Sequence, residues 1–246
     1  MNPKRTDQVW QNRELAQKFI EGMRGGVPFA AEQIDVMLRV LDAARIHVER
    51  FIDLGCGDGI LGRTLLDRYP HSTGVFLDFS EAMVEAATNK LTPSADRARV
   101  VRGDFATSSW LDEVGPERGY SLVVSGYAIH HQTDLRKQEL YREILGMLAP
   151  GGMFLNMEHV ASSTDWAGQA FVDLMVDSLL RFHQQQGDDL DRSEVARRYV
   201  NRPDWSANIL APVESQCQWL RDIGYSDVDC YFKAFELALF GGCRPS

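Results

Sequence analysis

The chain has 246 residues, 44% of them hydrophobic and 25% charged, with a formal net charge of -9 and an isoelectric point of about 5.2. That is ordinary globular composition with enough apolar residues for a sizeable core, and no internal repeat or low-complexity tract appears along the chain. The acidic balance disfavours phosphate backbones and anionic lipid, since the longest basic clusters, such as Arg197-Arg198, are short.

In chain order, residues 7–24 read as a polar helix. "MRGGVPF" then breaks the chain at Gly25, Gly26 and Pro28. Residues 29–43 place Ile34, Met37, Leu38 and Leu41 at helical spacing. From "RFIDL" onward the rhythm alternates. Strands are expected at "RFIDL", "STGVFLD", "ARVVRGD", "YSLVVSGYAI" and "MFLNMEHV". Helices are expected at "ILGRTLLDRY", at "SEAMVEAATNKL" with Ser80 as N-cap, and at "LRKQELYREILGML", stopped by Pro150-Gly151. Strands apolar on consecutive positions and alternating with helices predict an α/β fold with a mostly parallel sheet covered on both faces.

The alternation breaks after Val160. Residues 164–183 read as an apolar helix, followed by a polar stretch, a helical piece through Tyr199, an amphipathic helix over 213–223 and two closing strands. The chain is therefore expected to be one domain over 1–246, with an N-terminal helical cap over 1–45 and a helical lid inserted at 161–211. Its aromatics, Trp166, Phe171, Phe182, Tyr199 and Trp205, suit an apolar pocket wall, a packed lid or a homodimer face.

In an open parallel sheet, ligands bind beyond the carboxyl ends of the strands. "FIDLGCGDGILG" sits at the first such end, with Gly55, Gly57, Gly59 and Gly62. A dinucleotide fingerprint would read G-x-G-x-x-G; here Ile60 stands at the third glycine, and the loop begins with an acid, Asp53. Both features disfavour a pyrophosphate and suit a cationic ligand. The second strand ends in Asp78, where a carboxylate can accept both hydroxyls of a ribose. The third ends in Asp104-Phe105, an acid and an aromatic suited to an exocyclic amine and a flat base.

Together, "FIDLGCGDGILGRTLL", "VFLDFSEAMVEAA", "VVRGDFA", "YSLVVSGYAIHH" and "LGMLAPGGMFLNME" resemble a class I S-adenosylmethionine-dependent methyltransferase of small-molecule type. The resemblance implies S-adenosyl-L-methionine as cofactor and a Rossmann-like seven-stranded sheet of order 3-2-1-4-5-7-6. It also implies that Asp53, Gly55, Gly57 and Ser125 hold the methionine end. Asp78 takes the ribose, Phe79 and Met83 lie against the nucleoside, and Asp104 and Phe105 take the adenine. The lead-in is also similar to that of wobble-uridine carboxymethyl-pathway enzymes, which implies Arg24 and Phe29 as cofactor contacts.

His130 and His131 follow the fourth strand, where the methyl group is expected to lie. Adjacent strand side chains point oppositely, so the pair is not read as a metal site, and no metal is expected. A histidine can take an acceptor proton near neutrality, so His131 is the first candidate base and Glu158, ending the fifth strand, the second. Either histidine serves equally well as a polar wall of the pocket. Cys56, Cys217, Cys230 and Cys243 lack metal-ligand spacing and read as free thiols. With no apolar core in "MNPKRTDQVWQNRELAQ" and no membrane-spanning stretch, a cytoplasmic protein is expected, acting on a small-molecule acceptor. The rival functions are a tRNA-directed methyl- or carboxymethyl-pathway enzyme, an NAD-dependent oxidoreductase and a non-catalytic cofactor-binding protein.

Overall fold

The computed structural model describes residues 5–21 and 23–246, the side chains of residues 21–24 excepted. Its strands are β1 (Arg50–Leu54), β2 (Thr73–Asp78), β3 (Ala98–Arg102), β4 (Tyr120–Gly126), β5 (Leu148–His159), β6 (Ser226–Ala234) and β7 (Leu237–Cys243). They form one seven-stranded sheet in the order β3-β2-β1-β4-β5-β7-β6. Strands β3 to β5 pair in parallel, and β7 runs antiparallel to both β5 and β6. The order reverses between β1 and β4, so a crevice opens beyond their carboxyl ends.

Helices cover both faces: α1 (Arg13–Glu21), α2 (Ala30–Ala43), α3 (Ile60–Arg68), α4 (Glu81–Leu91), α5 (Trp110–Val114), α6 (Asp134–Met147), α7 (Asp165–Gln186), α8 (Arg192–Val200) and α9 (Val213–Ile223). Strand periodicity sorts the core. Ile52, Leu54, Val123 and Phe154 pack with Trp110, Leu140, Ile144 and Leu220. Phe51, Phe76, Leu122 and Leu155 pack on the other face with Met37, Leu65, Leu66 and Leu91. A third cluster joins α7 and α8 to Leu237 through Phe171, Met175, Leu179 and Tyr199.

Three local expectations are corrected. The single polar helix over 7–24 is in pieces: a 3-10 turn at Asp7–Gln11, then α1, then a 3-10 turn at Met23–Gly26. Asn12 makes the first break. Its backbone is extended, and its Oδ1 accepts from the Leu15 N–H at 3.1 Å, capping α1. Ser80 stands at the N-cap of α4 in extended conformation, but its hydroxyl makes no capping bond. Helix α6 does end before Pro150, yet β5 starts earlier than expected. Tyr120 pairs with Leu148 and Leu122 with Met153, so a bulge takes up Pro150 and Gly151.

Gly241, in the middle of β7, is a tight packing point. A Cβ there would come within 1.9 Å of the Phe154 carbonyl oxygen, which belongs to the β5 backbone and cannot move alone. Gly241→Ala is therefore expected to cost at least about 3 kcal/mol, the upper range for overpacking. For a domain of this size that lowers Tm by roughly 6 °C or more. Thermal unfolding followed by circular dichroism checks this; an unchanged Tm contradicts it.

Candidate active site

At the end of β1 the chain folds back onto β2. The Gly55 and Cys56 N–H groups both donate to the Leu77 carbonyl, at 2.8 and 2.9 Å. This turn needs a left-handed backbone at Gly55, φ +69°, and a Cβ there would lie 2.4 Å from the Ala128 Cβ. Asp53 is buried, and its Oδ2 accepts from the Gly62 N–H at 2.9 Å, tying the first turn of α3 to β1. Gly62 itself lets α3 lie against Phe76, whose ring a Cβ would meet at 2.1 Å. The helix–strand contact that a third fingerprint glycine would provide is made two positions beyond Ile60.

Asp78 ends β2 almost fully buried. Its oxygens accept from the Gly57 and Ser80 N–H groups, each at 2.9 Å. Burial nevertheless lifts its carboxyl to about 6, against the pull of those backbone donors. Asp104, after β3, accepts from the Ala106 N–H at 2.9 Å and from both Nη atoms of Arg5. Ser125 is fully buried on β4, and its hydroxyl donates to the Leu54 carbonyl at 2.7 Å.

These strand ends open into one cavity of about 480 Å³. Asp53, Gly55, Gly57, Asp78, Phe79, Met83, Asp104 and Phe105 all line it. Ser125 does not; it stitches β4 to β1 from inside the sheet. Phe29 does not line it either. Its half-exposed ring lies 6.0 Å from that of Phe232. The Arg24 side chain lies outside the described residues.

The far end of the cavity is built by β4, β5 and residues beyond 161. His130 and His131 both line it, with ring centroids 4.0 Å apart. They do not point oppositely, because Ile129–His131 is a 3-10 turn rather than strand. His131 Nδ1 lies 3.1 Å from the Ala207 carbonyl, which can only accept, so the proton is on Nδ1. Burial and the neighbouring His130 push His131 down to about 3. His130 Nδ1 pairs with Glu158 Oε1 at 2.6 Å. Glu158 is fully buried behind His130 and does not line the cavity. Burial lifts Glu158 to about 7 and drives His130 well below its ordinary value.

His159 pairs with Glu236 at 2.8 Å and faces Phe171, ring centroids 5.2 Å apart. Arg202 lies between the rings of Tyr199 and Trp205, 4.3 and 4.7 Å from their centroids, and donates to Asp204 at 2.9 Å. Phe171, Met175, Tyr199, Arg202, Asp204 and Asn208 bring the segment after β5 into the wall. Sequence reading missed Arg202, and it missed Trp10 from the N-terminal turn. Neither stands near a strand end in sequence, although "NRPDW" offered a cation beside an aromatic.

Residues 51–152 match the methyltransferase domain family. That match joins the strand order and the acids at three successive strand ends. The chain carries a methyltransferase domain on the class I S-adenosylmethionine-dependent fold. Carboxy-S-adenosyl-L-methionine synthase of Nautilia profundicola is 23% identical over 231 residues, 93% of this chain and 92% of that one. Trans-aconitate 2-methyltransferase of Methylobacterium radiotolerans is 34% identical over 123 residues, 48% of this chain and 40% of that one. Among solved structures, PigF with SAH shares the fold at a TM-score of 0.64 and 22% identity, covering 99% of this chain and 63% of that one. The cofactor of this methyltransferase is S-adenosylmethionine. Among the described residues no group of three or more His, Cys, Asp or Glu is placed to hold a metal ion, and no helix is long and apolar enough to cross a membrane.

Proposed function

We propose that this methyltransferase acts on an oxygen, nitrogen or carbon nucleophile of a small-molecule acceptor. The observation that carries the reading is the single cavity shared by the nucleoside-binding strand ends and the histidine cluster, closed over by residues from α1, α7 and α8. An acceptor reaching His130 must fit beneath Phe171, Met175 and Tyr199, which suits a small metabolite better than a folded nucleic acid. In this reading the segment 161–211 is the lid and residues 1–45 the cap.

The residues present fit the cofactor. The loop at Gly55 and Gly57 has no side chain to keep a ligand off its backbone, and the nearest atom a Cβ at Gly57 would meet is Met83 Sδ at 4.0 Å. Asp78 is a buried carboxylate whose backbone donors do not offset its burial, so two ribose hydroxyls complete its shell. Asp53 orients the loop, Phe79 and Met83 flank the nucleoside, and Asp104 and Phe105 take the adenine. Ser125 acts only by fixing β4 to β1.

When bound, S-adenosylmethionine supplies a methyl group already activated on a cationic sulfur. The protein's part is then alignment, exclusion of water and management of the acceptor proton. With Glu158 ionised, His130 holds its proton on Nδ1 and carries its lone pair on Nε2, with the Asn208 side chain as a further hydrogen-bond partner of the ring. His131 also offers an Nε2 lone pair, but its Nδ1 faces only the neutral Ala207 carbonyl, which stabilises an imidazolium less than a carboxylate does. We therefore assign the base to His130, with Glu158 as the positioning residue and His131 as the wall beside it.

A second reading is synthesis of a carboxylated S-adenosylmethionine, as the name of the Nautilia profundicola relative describes. It is favoured by the match along nearly the full length of both chains. A carboxylate in this cavity would meet Arg202. Incubation with methyl-labelled S-adenosylmethionine and a bacterial metabolite extract separates the readings. We expect label in a small molecule, with one S-adenosylhomocysteine formed per methyl. A carboxylated sulfonium in the products would select the second reading, and label confined to RNA would sink both.

A further inference from the structure

We infer that Arg5 is an internal competitor of the cofactor, holding at Asp104 the place that the adenine amino group takes. The inference rests on the assignment of Asp104 and Phe79 to the adenine end. Arg5 Nη1 lies 2.5 Å from Asp104 Oδ2, and Nη2 lies 3.1 Å from Oδ1. Its guanidinium carbon stands 5.9 Å from the centre of the Phe79 ring. A planar group donating to Asp104 beside Phe79 is what an adenine would be in the same position.

A carboxylate offers about four lone-pair sites. Two are taken by Arg5 and one by the Ala106 N–H. With both carboxylate oxygens engaged by the guanidinium beside Phe79, an adenine amine reaches Asp104 only by moving Arg5. Arg5 stays charged throughout, held by Asp7 and Asp104.

The contact reaches the other end of the cavity. Arg5 Nε and Nη2 donate to the two oxygens of Asp7, at 3.0 and 2.7 Å. Asp7 accepts from Gln132 Nε2 at 3.0 Å, next to His131. Three residues on, the Trp10 ring centroid lies 5.7 Å from that of His131. Its indole N–H is buried and has no hydrogen-bond partner among the described residues. Residues 5–11 thus form a strap from the adenine end to the acceptor end, and displacing Arg5 frees the end that Asp7 and Trp10 cover. Cofactor arrival opens the way for the acceptor.

A closed strap lowers apparent affinity by the fraction of molecules in which it is open. Arg5→Ala is therefore expected to tighten S-adenosylhomocysteine binding by up to about 5-fold, the upper range of a partly exposed ion pair. The gain appears as faster association in stopped-flow measurements. Rising salt weakens the ion pair, so affinity of the parent protein rises with ionic strength while that of Arg5→Ala stays flat. Arg13→Ala, which breaks an exposed pair with Glu85, is the control and leaves binding unchanged. Asp104→Asn is the second arm and is expected to weaken binding.

Equal or weaker binding by Arg5→Ala, with Asp104→Asn weakened, overturns the competition and leaves the adenine assignment standing. Tighter binding by both variants overturns the adenine assignment, and the competition at Asp104 with it.

Discussion

Asp78→Asn is expected to weaken S-adenosylhomocysteine binding by about 100-fold, because it removes a charged acceptor from two ribose hydroxyls. A hydrogen bond to a charged group is worth about 1.5–3 kcal/mol, and about 2.7 kcal/mol in all makes 100-fold. The amide also turns a donor toward the Gly57 or Ser80 N–H, each of which now gives its proton to Asp78. The pH dependence carries the same signature. Burial holds the free carboxyl at about 6. Ribose donors favour the charged form and pull that value down, so below about 6 binding must release a proton. Affinity should fall as pH drops through that window and stay flat above it. Isothermal titration in two buffers reads both the affinity and the proton released. A parent and an Asp78→Asn protein with superimposable pH curves would remove Asp78 from the site.

The second large effect concerns the proton. His130→Ala should lower kcat by about 100-fold or more for an acceptor that must lose a proton, the lower range for a positioned base. His131→Ala should cost far less, since its Nδ1 is held by the neutral Ala207 carbonyl and no carboxylate backs its imidazole. Glu158 sets the pH profile. Below about 7 its carboxyl keeps a proton to give to His130 Nδ1, which places the other imidazole proton on Nε2 and removes the lone pair. Above that pH the carboxylate accepts from Nδ1 and Nε2 carries the lone pair. Activity should rise with pH through about 7, and Glu158→Gln should abolish that rise. Stability changes in the opposite direction. An unfolded carboxyl loses its proton near 4.5 and the folded one near 7, so the folded chain holds the extra proton between them. Stability therefore falls as pH rises across this window, and Glu158→Gln should flatten the fall in Tm. A His131→Ala loss as large as that of His130→Ala would reverse the assignment of the base.

The sheet was legible because its central strands record their own two-sided burial. Five apolar runs, each followed by a helix, admit few arrangements, and the observed order is the one the methyltransferase resemblance implies. The residues proposed for the cofactor converge on one cavity because they sit at consecutive strand ends, where position in sequence and position in space agree. The acceptor end was not legible in this way. Glu158 meets His130 from the neighbouring strand, Arg202 arrives from beyond α8, and Trp10 comes from the N-terminal turn. No local period records such long-range meetings. The two histidines were misread for a smaller reason: a strand pattern was extended one turn too far, into a 3-10 segment that brings both rings to the cavity. Ser125 shows the converse. A polar residue at a strand end served the sheet, because the Leu54 carbonyl lay nearer than the ligand space.

Gly25 and Gly26 looked like chain breakers, and they lie where Met23–Gly26 meets α7. A Cβ at Gly25 would fall 2.3 Å from the Phe182 ring, and one at Gly26 would fall 2.5 Å from Leu179 Cδ2. Residues 23–26 and α7 are therefore fitted to each other and not only to the sheet beneath. Substrate preference in such a molecule is inherited through a matched pair. A graft that carries only one half to a relative brings a seam with the wrong partner, so the exchangeable unit of specificity spans two stretches lying more than a hundred residues apart in the chain.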